Sequence, residues 1–149
     1  MSSEFALAVP FAGLVERVGV NDNLPPHVTV LVPSPGEVAA IGDVLAPFAA
    51  FDVTFRRLER FPEILWLAPE PPEPFVGMTE AMVARFPDHP PYGGIHDRIV
   101  PHLTVAQAEF DETAARVQPL LPLRSRVETI VLYEHVAADT WREVHTFGL

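Results

Sequence analysis

The sequence has no cysteine and no lysine, since all ten of its basic residues are arginine. Without cysteine there are no disulfides, no thiolate nucleophiles and no thiolate metal sites. The missing lysine excludes lysine adenylylation, Schiff-base and pyridoxal chemistry, and the phosphate-binding lysine of a P-loop. Positive charge is scarce: ten arginines face twenty carboxylates, for a net charge of −10. Such a balance argues against a surface that wraps long nucleic acid, but it leaves room for a small phosphorylated ligand in a local positive cleft. Long apolar runs are absent too, and Met1-Ser2-Ser3-Glu4 carries no basic leader. The expectation is therefore a soluble, cytoplasmic protein with no membrane association. At 149 residues and 48% hydrophobic content, the chain is long enough for one domain, residues 1–149, with a sizeable core.

Seventeen prolines and eight glycines cut the sequence into short elements. Residues 5–9 read as a strand, 11–18 as a short helix, and 27–32 as a β-branched strand. Ser34-Pro35-Gly36-Glu37 reads as a capping box, opening a helix whose apolar positions are Val38, Ile41, Leu45 and Phe48. Residues 51–58 and 63–68 form an expected hairpin. The proline cluster at 69–74 reads as a loop before an amphipathic helix through Phe75, Met78, Met82 and Phe86. After an irregular stretch over 87–98 come a strand at 99–106, a helix capped by Asp111, and two strands at 126–134 and 140–147.

This order contains a repeat. Strand, helix, strand, strand begins at His27 and again 75 residues later at His102, and the same offset carries Pro26 to Pro101, Thr29 to Thr104 and Trp66 to Trp141. The chain therefore reads as two similar halves. Their natural packing is α+β and bilobal: two pseudo-symmetric antiparallel β-sheets, flanked by helices, around a central cleft.

The strongest local signal is Pro26-His27-Val28-Thr29-Val30 with its copy Pro101-His102-Leu103-Thr104-Val105. On a strand, residues i and i+2 share a face, so His27 projects with Thr29, and His102 with Thr104, while the valines and leucine between them enter the core. Two such faces meeting across a cleft suit in-line displacement at phosphorus. One neutral imidazole takes a proton from the attacking oxygen and a protonated one delivers a proton to the leaving oxygen. An ordinary imidazole pKa of about 6.5 keeps both forms accessible near neutrality. Threonine hydroxyls donate to the non-bridging oxygens where charge accumulates. No metal or other cofactor enters this chemistry.

The paired H-x-T motifs resemble the signature of the two-histidine (2H) phosphoesterase superfamily, which includes cyclic nucleotide phosphodiesterases and 2′-5′ RNA ligase-like proteins. The resemblance spans nearly the whole chain and implies a LigT-like fold, with His27, Thr29, His102 and Thr104 catalytic. It also implies a metal-free activity on a 2′,3′-cyclic phosphate or a 2′-5′ phosphodiester. Leu31 and Val32 follow the first motif where many RNA-processing members carry a basic residue, which favours a small phosphodiester or nucleotide over short RNA ends. Two alternatives stay beside hydrolysis: a non-catalytic nucleotide- or phosphate-binding module, and a 2′-5′ ligase or RNA-end processing protein. Tyr92, in Tyr92-Gly93-Gly94 ahead of the second motif, is a candidate substrate-binding ring that could stack on a base. Of Arg56, Arg57, Arg60, Arg98, Arg124 and Arg126, any could lend positive potential to the cleft.

Overall fold

The computed structural model describes residues 4–19, 24–94, 99–138 and 140–149. The chain runs β1 (Phe5–Pro10), a 3-10 turn at Ala12–Leu14, α1 (Val15–Val18), β2 (His27–Ser34), α2 (Val38–Leu45), β3 (Phe51–Arg60) and β4 (Leu65–Glu70). It continues through α3 (Glu73–Arg85), β5 (Leu103–Ala106), α4 (Phe110–Val117), β6 (Leu123–Val127), β7 (Thr129–Ala137) and β8 (Thr140–Gly148). These eight strands join one antiparallel sheet in the order β6-β3-β4-β5-β2-β1-β7-β8. The fold is α+β, and the two expected sheets are the two halves of this one. They meet where β5 adjoins β2, with Val28 opposite Leu103.

Burial follows from the strand period of two. Val28, Leu103, Val53, Phe55, Leu67, Ile130 and Leu132 point to one face, where Ile41 and Leu45 of α2 and Phe75, Met78 and Met82 of α3 close a single core over them. The other face carries the motif histidines and threonines near the centre of the sheet. Towards the β8 edge it also carries a small apolar cluster of Ala8, Leu24, Val131 and Tyr133.

The sequence repeat is only partly a repeat in space. Counting outward from the junction, β5 and β2 take the first positions and β3 and β7 the third, so the 75-residue offset relates spatially equivalent strands there. It fails for the tryptophans. Trp66 lies on β4, second from the junction and paired with Thr104, whereas Trp141 lies on β8 at the sheet edge, paired with His135. The β3–β4 hairpin turns inward against β5, while β1 already fills the place beside β2 and sends the β7–β8 hairpin outward.

Three local expectations are corrected. Ser34 does not cap α2. It is the last residue of β2, opposite Phe5, and its buried hydroxyl donates to the Pro35 carbonyl at 2.9 Å. Helix α2 starts at Val38 after Glu37, with no side-chain cap. The β1–β2 ladder outcompetes the local capping preference, and Gly36 allows it: a Cβ there would stand 2.7 Å from the Phe5 ring. Asp111 likewise does not cap α4. The helix starts at Phe110, Glu109 before it takes a left-handed φ of 54°, and Asp111 sits in the first turn, where its charge suits the helix dipole. The strand expected at 126–134 is two strands, β6 and β7.

Tyr133 offers a direct stability test. It is 2% exposed, and among the described residues its hydroxyl has no hydrogen-bond partner. Burial, with Glu143 opposite it on β8, pushes the phenol pKa up to about 12. The unfolded chain releases this proton near pH 10, so between about pH 10 and 12 the folded state holds it and the unfolded state does not. Stability therefore falls as pH rises through that window. Tyr133→Phe removes the orphaned hydroxyl: it is expected to raise stability at neutral pH by about 1 kcal/mol and to flatten the alkaline loss. Urea titrations at pH 7 and pH 11 check both, and a Tyr133→Phe chain less stable at pH 7 would reveal a partner for the hydroxyl.

Candidate active site

Both H-x-T motifs lie at the junction of the two half-sheets. With Val28 opposite Leu103, the antiparallel register sets His27 opposite Thr104 and Thr29 opposite His102. Val28 and Leu103 are fully buried on the helix side, so the four flanking residues share the opposite face, where all are partly exposed. The register makes the two histidines diagonal neighbours, a relation with a spacing of about 7–8 Å and Cβ atoms somewhat closer than that. The flanking pairings extend these rows. Pro10 lies beside His27 and Trp66 beside Thr104, while Ala8 lies beside Thr29. With alanine there, the floor next to Thr29 is low.

The histidines are held in the same way. His27 Nδ1 lies 3.0 Å from the Pro25 carbonyl and His102 Nδ1 lies 2.7 Å from the Val100 carbonyl. A carbonyl only accepts, so Nδ1 carries the proton and Nε2 is the basic nitrogen of each neutral ring. The intervening prolines, Pro26 and Pro101, explain the match. Proline fixes its own φ and biases the preceding residue to extended backbone, which presents the carbonyl of residue i−2 to the ring in both copies. His102 itself stands just ahead of β5 rather than within the strand expected over 99–106.

Sequence reasoning missed the aromatic wall beside the second motif. Phe61 and Trp66 stack at 4.7 Å between ring centroids, and both present edge contacts to the His102 ring, at 5.7 and 5.9 Å. The Trp66 indole N–H is buried and has no acceptor among the described residues. Only the β4–β5 register, which sets Trp66 against Thr104, would have found this wall. Trp66 had stood out in the sequence only as half of a repeat.

The described candidate arginines are engaged or placed elsewhere. Arg56, Arg57 and Arg126 are engaged by Glu70, Glu59 and Asp52, and Arg60 lies over the Phe110 ring. Arg124 is exposed on β6, the outermost strand of its half-sheet. Tyr92 belongs to the 3-10 turn Pro91–Gly94, which packs near β2, but its side chain lies outside the described residues, as does Arg98. An open cavity of about 500 Å³ lies between the β3–β4 turn and the start of α4, and it contains none of the four motif residues. Glu63, Glu109 and Asp111 line it together with Arg60, so carboxylates outnumber the cation and the setting disfavours phosphate. Among the described residues no cluster of three or more acidic or histidine side chains is gathered to hold a metal ion, and no helix is long and apolar enough to cross a membrane.

Comparisons with known proteins bear on this geometry. No curated protein sequence matches the chain. Among solved structures, Escherichia coli LigT complexed with 3′-AMP superposes with a TM-score of 0.68 at 15% identity, covering 99% of this chain and 98% of LigT. A protein described as a phosphoesterase gives 0.67 at 15% identity over 100% and 99% of the two chains. The protein TT0787 of Thermus thermophilus gives 0.67 at 21% identity over 98% and 97%. At these identities the likeness is one of fold, and the fold is LigT-like. The family model described as the 2′-5′ RNA ligase superfamily matches residues 17–139, which include both motifs. The chain thus belongs to the 2′-5′ RNA ligase superfamily, a two-histidine phosphoesterase group whose members are enzymes.

Proposed function

We propose that this chain is a metal-independent phosphodiesterase that hydrolyses 2′,3′-cyclic nucleotides or a related small cyclic or 2′-5′ phosphodiester. The observation that carries the reading is the Val28–Leu103 pair, whose register sets two histidines and two threonines on one face of the sheet. Water attacks phosphorus in line with the leaving ribose oxygen. One Nε2 accepts the water proton as the new P–O bond forms, and the other Nε2 donates a proton to the ribose oxygen as its bond to phosphorus breaks. The hydroxyls of Thr29 and Thr104 donate to the non-bridging oxygens, whose charge grows in the transition state. The product is a nucleoside monophosphate, and LigT, the similar fold, was crystallised with one, 3′-AMP. The Phe61–Trp66 wall beside His102 gives a small base an apolar surface to rest against.

Charge favours a small substrate over an RNA terminus. A net charge of −10 opposes a polyanion, and the two residues after the first motif are apolar. The test is hydrolysis of the four 2′,3′-cyclic mononucleotides in the presence of a chelator, with the His27→Ala/His102→Ala double variant as blank. The expected result is turnover in chelator with a bell-shaped pH–rate profile, one limb per imidazole. Ligand binding without turnover would instead support a binding module, and 2′-5′ joining of short RNA would support a ligase.

A further inference from the structure

We infer that Thr79, in the helix behind the sheet, is a positioning residue that sets Thr29 through the Val30 carbonyl. This rests on the role given above to Thr29. Thr79 is 3% exposed, on a face of α3 otherwise formed by Phe75, Met78 and Met82. A hydroxyl there is costly to bury and threonine is a poorer helix former than alanine, so the residue needs a reason in tertiary structure. Its Oγ1 donates to the Val30 carbonyl at 2.6 Å, and also lies 3.1 Å from the Phe75 carbonyl one turn back. A single proton serves one acceptor at a time, and the shorter contact goes to β2.

The Val30 carbonyl needs this donor because the sheet does not readily supply one. On the β1 side the register slips between Thr29, opposite Ala8, and Leu31, opposite Leu7, which leaves Val30 as the extra residue of a bulge. On the β5 side the one ladder pair is Val28 with Leu103, the first residue of β5, so the strand has ended before it comes level with Val30, and Pro101 lies against that spot instead. Proline has no N–H to give. Val30 therefore sits where two irregularities coincide, directly after Thr29. The Thr79 hydroxyl closes that gap, and a crevice of about 20 Å³ bounded by Thr29, Val30, Thr79, Val100 and Pro101 brings the approach to the second motif against the same spot. Bulges beside a site re-aim a side chain; here the bulge is pinned from behind.

The test is an NMR titration of the full chain with inorganic phosphate, run on wild type, Thr79→Val and Thr79→Ser, with Thr79→Ala added because alanine favours the helix should valine prevent folding. Valine preserves shape and removes the donor. Both hydroxyl-free variants are expected to bind phosphate about tenfold more weakly, the scale of one lost hydrogen bond from Thr29, with their altered amide shifts concentrated at Thr29 and Val30 rather than at Thr104. Serine should restore affinity to within about twofold, since it keeps the donor. A purely structural threonine would lower the melting temperature without moving phosphate affinity. Wild-type affinity in either hydroxyl-free variant, or failure of serine to rescue, overturns the inference whatever the hydrolysis assay reads. A wild-type chain that binds phosphate but turns over no cyclic nucleotide would sink the hydrolase reading and leave this one standing. One that turns over cyclic nucleotides but binds no phosphate would sink this inference and leave the hydrolase reading standing.

Discussion

Replacing His27 or His102 with alanine is expected to lower kcat for cyclic-nucleotide hydrolysis by about 10²- to 10⁴-fold, the range spanned by loss of a general acid or base. Both single variants should fall within this range, because the register gives the two imidazoles matching places and each ring is oriented by the carbonyl two residues before it. Stability should change little: both rings are partly exposed, on the face away from the main core. Asparagine in place of either histidine keeps a polar side chain but no titratable nitrogen, so it should be as slow as alanine and lose one limb of the pH–rate profile. Turnover within about threefold of wild type in either alanine variant would mean that the ring plays no part in proton transfer. Thermal melts of the same preparations separate a chemical loss from an unfolded chain.

The largest stability loss is expected at Phe55. Its side chain is fully buried on β3, and its ring meets Phe11 edge-on at 5.2 Å between centroids. Phe55→Ala should cost about 3–5 kcal/mol, the combined loss of transfer energy and the cavity left behind. The position also matters to the site. β3 belongs to the half-sheet that carries β5, whereas Phe11 follows β1 in the half that carries β2, and the Phe11 N–H donates to the Pro26 carbonyl at 2.7 Å, directly before His27. Among the described residues, Val28 and Leu103 are the only ladder pair joining the half-sheets across the junction. Core packing of this kind must therefore help to hold the two motifs at their relative height. Urea denaturation should show a midpoint lowered by on the order of 2 M, and a loss below about 1 kcal/mol would mean that the core collapses around the gap.

The candidate site was legible in the sequence because its signal is local and doubled. A histidine and a threonine in strand alternation specify a ring and a hydroxyl on one face without reference to the rest of the chain, while the carbonyl that orients each ring emerged only from the structure. The bilobal α+β architecture followed from the repeated element order, and the resemblance carried by the paired motifs implied its LigT-like form. What the sequence hid was lateral placement in the sheet. Nothing in the hairpin at 51–70 says that it turns toward the junction, nor in the one at 129–148 that it turns away, so Trp66 and Trp141 read as equivalent although one walls the site and the other borders the sheet edge. Ser34 and Asp111 misled in another way: both have the chemistry of helix caps, but the β1–β2 ladder claims the first, and the left-handed Glu109 starts its helix one residue before the second. Thr79 gave no signal at all. An isolated threonine in an amphipathic helix acquires meaning only once the carbonyl it faces is known.

The most direct measurement is a crystal structure of the chain soaked with inorganic phosphate or a non-hydrolysable cyclic phosphate analogue. The account predicts one phosphorus at the β2–β5 junction, with the Nε2 atoms of His27 and His102 within about 2.6–3.2 Å of two different oxygens and the Thr29 and Thr104 hydroxyls on the remaining ones. A phosphate held by only one of the two imidazoles, or bound away from the junction, would contradict it.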